Sequence, residues 1–277
     1  MILVTGATGN VGGHVLALLV AGGHDVRALS RSPQAAAWPT EVDVVAGDLA
    51  DPAALAAALA GADSVFLFAV PGSGPAFVAA AQRAGIRRVV LLSSGAVDDD
   101  AEVQDGPIAA YHAEIEQALR GSSLAWTFLR PDAFAANTLM WAGQTKAGDV
   151  IRGAYAEAAS APVHEADIAA VAVAALTEDG HSGQVYRLTG PESLTHAEQA
   201  AILGRALGRP IRYEEVPAET VRQMMSAHVP APILDDILAT WAAAVGRTAP
   251  TTADVEKLTG RPARSYHDWA LDHAAAF

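Results

Sequence analysis

The sequence predicts an α/β protein, a doubly wound parallel sheet joined to a smaller, mainly helical C-terminal portion. Three observations predict it. Short β-branched runs alternate with alanine-rich helical runs through the first half of the chain. A glycine-rich turn stands between the first strand and the first helix. Apolar residues make up 51% of the whole, enough to cover a parallel sheet on both faces.

Taken in order, the strands are Ile2–Thr5, Val26–Ser30, Val42–Ala46, Ser64–Ala69, Val89–Ser93 and Ala125–Leu129. The helical patterns between them run over Val11–Ala21, Pro52–Ala60, Pro75–Ala84 and Ile108–Leu119. Such βα units in series, each crossing over right-handed, build an open sheet. After Pro131 the rhythm changes. Asn137 to Ala161 mixes aromatic, glycine and polar residues and reads as a long loop or excursion. Val163-His164-Glu165-Ala166-Asp167 leads into a helix reaching Leu176. Gly183–Leu188 reads as a strand returning to the sheet, and Ile211–Glu215 as a short strand in an otherwise helical remainder punctuated by Pro217, Pro230, Pro232, Pro250 and Pro262. This divides the chain into 1–135 and 136–277, with the strand near 183–189 belonging to the first part and no flexible linker between them.

Composition narrows the function. The 277 residues carry 18 Lys and Arg against 31 Asp and Glu, a net charge of −13. That balance offers no basic surface for a phosphate backbone or an anionic membrane, so neither nucleic acid nor membrane is an expected partner. Cysteine is absent, which excludes disulfides, thiolate zinc sites and cysteine nucleophiles. The histidines show no metal-ligand spacing, so no metal is expected. The first residues form a strand rather than a signal segment, and the longest apolar stretches are too short to span a bilayer, which predicts a cytoplasmic protein. Oligomeric state is not legible.

The turn itself reads Thr5-Gly6-Ala7-Thr8-Gly9-Asn10-Val11-Gly12-Gly13. Phosphate binding needs this context: a tight turn after a buried strand, backbone close enough to touch a pyrophosphate, and free N–H groups at a helix N-terminus. Gly6, Ala7, Thr8, Gly9, Asn10, Val11 and Gly12 are the expected dinucleotide contacts. Where a carboxylate would take the ribose 2′-OH of NAD, the second strand ends in Ser30-Arg31-Ser32. An arginine there suits a 2′-phosphate, so NADP(H) is expected in preference to NAD(H).

These residues resemble the NmrA-like branch of the atypical short-chain dehydrogenases/reductases. The likeness extends to Gly47-Asp48-Leu49, to Leu129-Arg130-Pro131 with Phe134 and Asn137, to Val163–Ala170, and to the closing Leu258-Thr259-Gly260-Arg261-Pro262. The family's fold is the Rossmann sheet. Its members include quinone reductases, triphenylmethane-dye reductases and regulators that bind dinucleotide without turnover. The resemblance implies that Asp48 and Leu49 stand beside the adenine, although Asp48 also fits as the N-cap of the helix near Pro52. Ala69 and Val70 fall where the backbone passes the adenosine ribose. Ser93 and Ser94 fall beside the nicotinamide, with Pro131 shaping the wall next to it. Asp98-Asp99-Asp100 reads as a solvated loop, and Asp167 as a cap.

Short-chain dehydrogenases protonate an alkoxide with a tyrosine whose acidity a lysine four residues later increases. No Tyr-x-x-x-Lys occurs in this chain. Aligned on Glu116, the lysine position holds His112 and the tyrosine position Ile108. His112 is the candidate catalytic residue, either hydrogen-bonding the ribose or assisting a proton transfer. Tyr111, about 100° away on the helix, is not expected to act with it. Phe134, Asn137, Met140, Trp141 and Tyr155 are the candidate substrate contacts, an aromatic lining suited to a flat, delocalised molecule. The expectation is an NADPH-dependent reductase of an electron-poor conjugated acceptor such as a quinone. A dinucleotide-sensing protein without turnover, or a specialised biosynthetic reductase or isomerase, stands as the alternative.

Overall fold

The computed structural model describes residues 1–277, the surroundings of Ala35 excepted. The chain forms two compact units. The first comprises Met1–Gln104, Ala109–Arg130 and Glu165–Arg187; the second comprises Asp105–Ile108, Pro131–His164 and Leu188–Phe277.

The first unit is built on strands β1 (Ile2–Val4), β2 (Val26–Ser30), β3 (Asp43–Ala46), β4 (Ser64–Phe68), β5 (Arg88–Leu92), β6 (Ala125–Pro131) and β7 (Gln184–Leu188). They form one seven-stranded sheet in the order β7-β6-β5-β4-β1-β2-β3, and the reversal of direction across β1 and β4 makes it doubly wound. Helices α1 (Asn10–Ala21), α2 (Pro52–Leu59), α3 (Gly74–Ala84), α4 (Gly106–Arg120) and α5 (Glu165–Thr177) cover it. Each boundary falls within two residues of the sequence expectation.

Alternation explains the two faces. Leu3, Val65, Leu67, Val89, Leu91 and Phe128 point to one side and pack under Leu55 and Leu59 of α2, Phe77 and Ala81 of α3, and Ile115 and Leu119 of α4. Their neighbours Val4, Phe66 and Val90 are equally buried, and α1 and α5 lie against the sheet and against each other. The alanine content of α5 lets its backbone come close: Ala169, Ala172 and Ala175 are fully buried. Thr5 fastens the end of β1 to β4. Its hydroxyl donates to the Phe66 carbonyl at 3.1 Å and accepts from the Phe68 N–H at 2.7 Å.

In the second unit, Asn137 to Ala161, read from sequence as a long loop or excursion, is not a loop but a run of short elements. A 3-10 helix spans Ala135–Trp141, a short α-helix Ala142–Ala147, and strands Val150–Gly153 and Ala159–Ser160. Those strands pair with Arg212–Glu215 and Leu194–Thr195, partners about 35 to 60 residues onward that no local period reveals. Ile151, Leu203, Ile211, Tyr266 and Trp269 form its main core. A second cluster gathers Ala154, Val221, Leu234 and Leu238. Glu165–Thr177, counted by sequence in the 136–277 portion, lies in the first unit. No helix among the described residues is long and apolar enough to cross a membrane.

Candidate active site and cofactor cradle

The glycine turn is shaped by close backbone approach. Gly6 has φ +61°, the left-handed region that favours glycine, and its carbonyl accepts from the Gly9 N–H at 2.9 Å. Helix α1 then passes so near that a Cβ on Gly12 would stand 2.2 Å from the Gly6 oxygen. Gly9 is the N-cap and brings no side chain to the first-turn N–H groups, and no acidic residue occupies that turn. The positive end of the helix is left for an outside anion. A cradle that a Cβ would fill, at an uncapped helix N-terminus, fits the pyrophosphate of a dinucleotide.

The neighbouring strand ends border this turn. Ser30 is buried, and its Oγ accepts from the Ser32 N–H at 3.3 Å. Arg31 is exposed, with no ion pair among the described residues, so its guanidinium is available to a ligand. Asp48 is half-buried and accepts from the Ala50 N–H at 2.9 Å. It does not cap α2. Asp51 does, accepting from Ala53 and Ala54, because Asp51 directly precedes the proline that starts the helix. The capping expectation for Asp48 is corrected; Leu49 is half-buried against the sheet core. Ala69 is buried, while Val70 is half-buried and turns the chain through its carbonyl, which accepts from the Ser73 hydroxyl at 2.7 Å. Sequence reasoning missed Phe68. It ends an otherwise buried strand, is 48% exposed, and lies against the turn, 3.0 Å from where a Gly6 Cβ would be. Nothing in an apolar run marks which ring surfaces.

At the ends of β5 and β6 the picture changes most. Ser93 is 3% exposed, and its hydroxyl is committed to Glu116 at 2.6 Å. The Ser94 oxygen accepts from the Ala96 N–H at 3.1 Å. Arg130 forks onto Glu116 and Asp99, so the acidic run at 98–100 is not simply a solvated loop. Hydrogen bonds from Arg130 hold the Asp99 carboxyl below its usual range. Burial works against the charge on Arg130, but Glu116 and Asp99 outweigh it and raise its pKa.

His112 lies on the buried face of α4. Its ring and that of Tyr111 lie 4.0 Å apart, tilted by 31°. Burial raises the Tyr111 phenol above its ordinary value.

The substrate candidates all lie in the second unit. Phe134 and Tyr155 are half-buried, while Asn137 and Met140 are exposed. Trp141 instead belongs to the core, edge-on to Tyr213 at 5.8 Å. Pro131 is buried at the end of β6. Tyr155 alone among the described non-glycine residues has positive φ, 54°. Asp167 does not precede its helix but lies in the first turn of α5, fully buried. His164 is buried, with Nε2 3.3 Å from an Asp272 oxygen. No group of residues suited to a metal ion occurs among the described residues.

A doubly wound sheet with an anion-ready glycine turn defines a dinucleotide-binding α/β protein. The comparisons make the class specific. Residues 6–179 match the model of a family described as NAD(P)H-binding, and the chain belongs to that family. It is 44% identical to the (4-alkanoyl-5-oxo-2,5-dihydrofuran-3-yl)methyl phosphate reductase of Streptomyces griseus, over 100% of this chain and 99% of the relative. It is 37% identical to the NAD(P)H azoreductase of Xenophilus azovorans, again over 100% and 99%. The structure of the Escherichia coli NADPH-dependent quinone oxidoreductase complexed with NADPH superposes with a TM-score of 0.81 at 26% identity, over 99% of this chain and 100% of that one. The protein is an NAD(P)H-dependent oxidoreductase, and its relatives include the quinone-reductase kind that the sequence motifs resemble.

Proposed function

We propose that this protein uses NADPH, in preference to NADH, to reduce an electron-poor conjugated π bond in a small cytoplasmic molecule. The observation that carries the reading is the combination of exposed Arg31 at the tip of β2 with the absence of any Tyr-x-x-x-Lys pair. Arginine there favours a 2′-phosphate, and the missing acid favours acceptors that spread the incoming charge. The names of the relatives support this: a ring double bond conjugated to two carbonyls, an azo bond and a quinone share that property.

The cofactor, when bound, supplies the hydride. On this reading Gly6 to Gly12 hold the pyrophosphate, Ser30 and Arg31 the 2′-phosphate, and Asp48, Leu49, Ala69 and Val70 the adenosine. Ser93, Ser94 and Pro131 border the reducing end. His112 plays a supporting role. Phe134, Asn137, Met140 and Tyr155 are the substrate contacts, while Trp141 is part of the core.

The test is steady-state NADPH oxidation against a naphthoquinone, an azo dye, a 2-acyl-butenolide and a simple ketone, for the wild type and His112→Ala. Turnover of the conjugated acceptors is expected, with the ketone untouched. An obligatory proton donor contributes about 10²–10⁴-fold, so a loss under about tenfold in His112→Ala marks a supporting role. Fast ketone reduction, or tight NADPH binding without turnover of any acceptor, refutes the reading.

A further inference from the structure

Inside the first unit, β5 and β6 pair through their backbones, and a buried cluster of side chains ties their ends to α4 and to the loop after β5. Glu116 of α4 is 2% exposed and Arg130 of β6 is 7% exposed. The Ser93 hydroxyl donates to Glu116 Oε1 at 2.6 Å, Arg130 Nε donates to the same oxygen at 2.9 Å, and Arg130 Nη2 donates to Oε2 at 2.6 Å. The other side of the guanidinium holds both oxygens of Asp99, each at 2.8 Å. Arg120 adds a contact to Asp99 at 3.2 Å and lies 4.8 Å over the Trp126 ring.

Stability alone does not account for this arrangement. A buried ion pair loses so much hydration that a well-packed apolar replacement is often equally stable. What the pair supplies is geometry, because a fork gripping two carboxylates allows one orientation. Glu116 follows His112 by one helical turn on the same buried face of α4. It also grips Ser93, next to Ser94, at the carboxyl end of β5.

We propose that Glu116 is a positioning residue for the reducing end of the cofactor site, fixing α4, and with it His112, against Ser93 and Ser94. The proposal rests on the reading that these three residues border the nicotinamide. Glu116→Gln keeps the shape of the side chain and removes its charge, leaving Asp99 as the one carboxylate on Arg130 and an amide in place of the acceptor of Arg130 Nη2. The phosphates sit on a different loop, so NADPH affinity should stay within about threefold. The emission of the reduced nicotinamide in the binary complex, measured without acceptor, should lose the character of the wild type. With a naphthoquinone, kcat should fall by about tenfold or more, since misplacement of an ångström costs up to about 10²-fold. The deuterium isotope effect from 4-deuterated NADPH should rise as hydride transfer becomes limiting. Glu116→Asp, which keeps the charge, should recover part of kcat.

A Glu116→Gln protein that melts earlier, yet keeps wild-type emission, kcat per folded molecule and isotope effect, overturns the proposal. Should that variant not fold, Ser93→Ala decides: it leaves both ion pairs and removes one hydrogen bond. Altered emission with a several-fold loss of kcat supports positioning, and unchanged values overturn it. His112→Ala separates the two ideas. If it lowers kcat while Glu116→Gln does not, the proposal fails and the reading of His112 stands. If only Glu116→Gln acts, the role of His112 falls and Glu116 works through the serines.

Discussion

On the proposed reading Arg31 meets the 2′-phosphate of the ligand and Gly9 its pyrophosphate, and their substitutions should separate accordingly. Removing the Arg31 guanidinium should weaken NADPH by about 1.5 kcal/mol or more, roughly tenfold, and leave NADH nearly unaffected. Fluorescence titration with both cofactors checks this, and equal losses would show that Arg31 has no part in the choice. Gly9→Val should weaken both cofactors together by more than about tenfold. Gly9 already has the extended φ of −84° and ψ of 171° that valine adopts, and a Cβ there stands 3.2 Å from the Gly6 oxygen, a contact that a small shift relieves, so circular dichroism should stay near wild type with a modest drop in melting temperature. Its neighbour Gly12 makes a poor test, since any side chain there strikes the Gly6 carbonyl. The places of Gly9 and Arg31, one in the turn after β1 and one at the tip of β2, were legible in the sequence because each is set by the end of a strand. The contacts that join Glu116, Asp99, Ser93 and Arg130 were not legible, because they span 14 to 31 residues and show only once the chain is folded.

Elements with their own hydrophobic period were read to within two residues, and those without one were lost. Helix α2 shows the local rules at work: Asp51 caps it, Pro52 opens it, and Leu55 and Leu59 face the core. Asp51→Ala should cost about 1 kcal/mol, visible in the urea midpoint. The helix His196–Ala206 carries a pH effect instead. Thr195 and Glu198 form a capping box at its start, and His196 is buried between Trp141, Tyr213 and Trp241. Burial holds the His196 pKa below the ordinary imidazole value, only partly offset by backbone hydrogen bonds at Ala154 and Tyr155. The unfolded chain therefore binds this proton more readily than the native one. Stability should be complete above about pH 6.5 and decline as pH falls from there toward the lowered native value. Measured as melting temperature from pH 7.5 to 5.5, the gap between the wild type and His196→Gln should narrow on the acid side. A gap independent of pH would mean that the native ring titrates normally.

At the scale of the whole molecule, the chain does not finish its first unit before starting the second. It leaves β6 at Pro131, builds Ala133–Phe134 and the short elements through Val163, and only then returns with α5 and β7. The two-part division at residue 135 was natural to read from composition, because nothing local announces that a later helix packs back on α1. On a ribosome this order has a consequence for synthesis. Until residues beyond 187 have emerged, β6 is an open sheet edge carrying Trp126 and Phe128, and α1 lacks the helix that covers it. An unpaired edge of this kind is a template for pairing with other nascent chains. A fragment ending at residue 164 should accumulate as aggregate, whereas one ending just past 188 should remain dispersed for longer, a difference that sedimentation of the two translation products would reveal. Slowing elongation between those points should lower the yield of native protein.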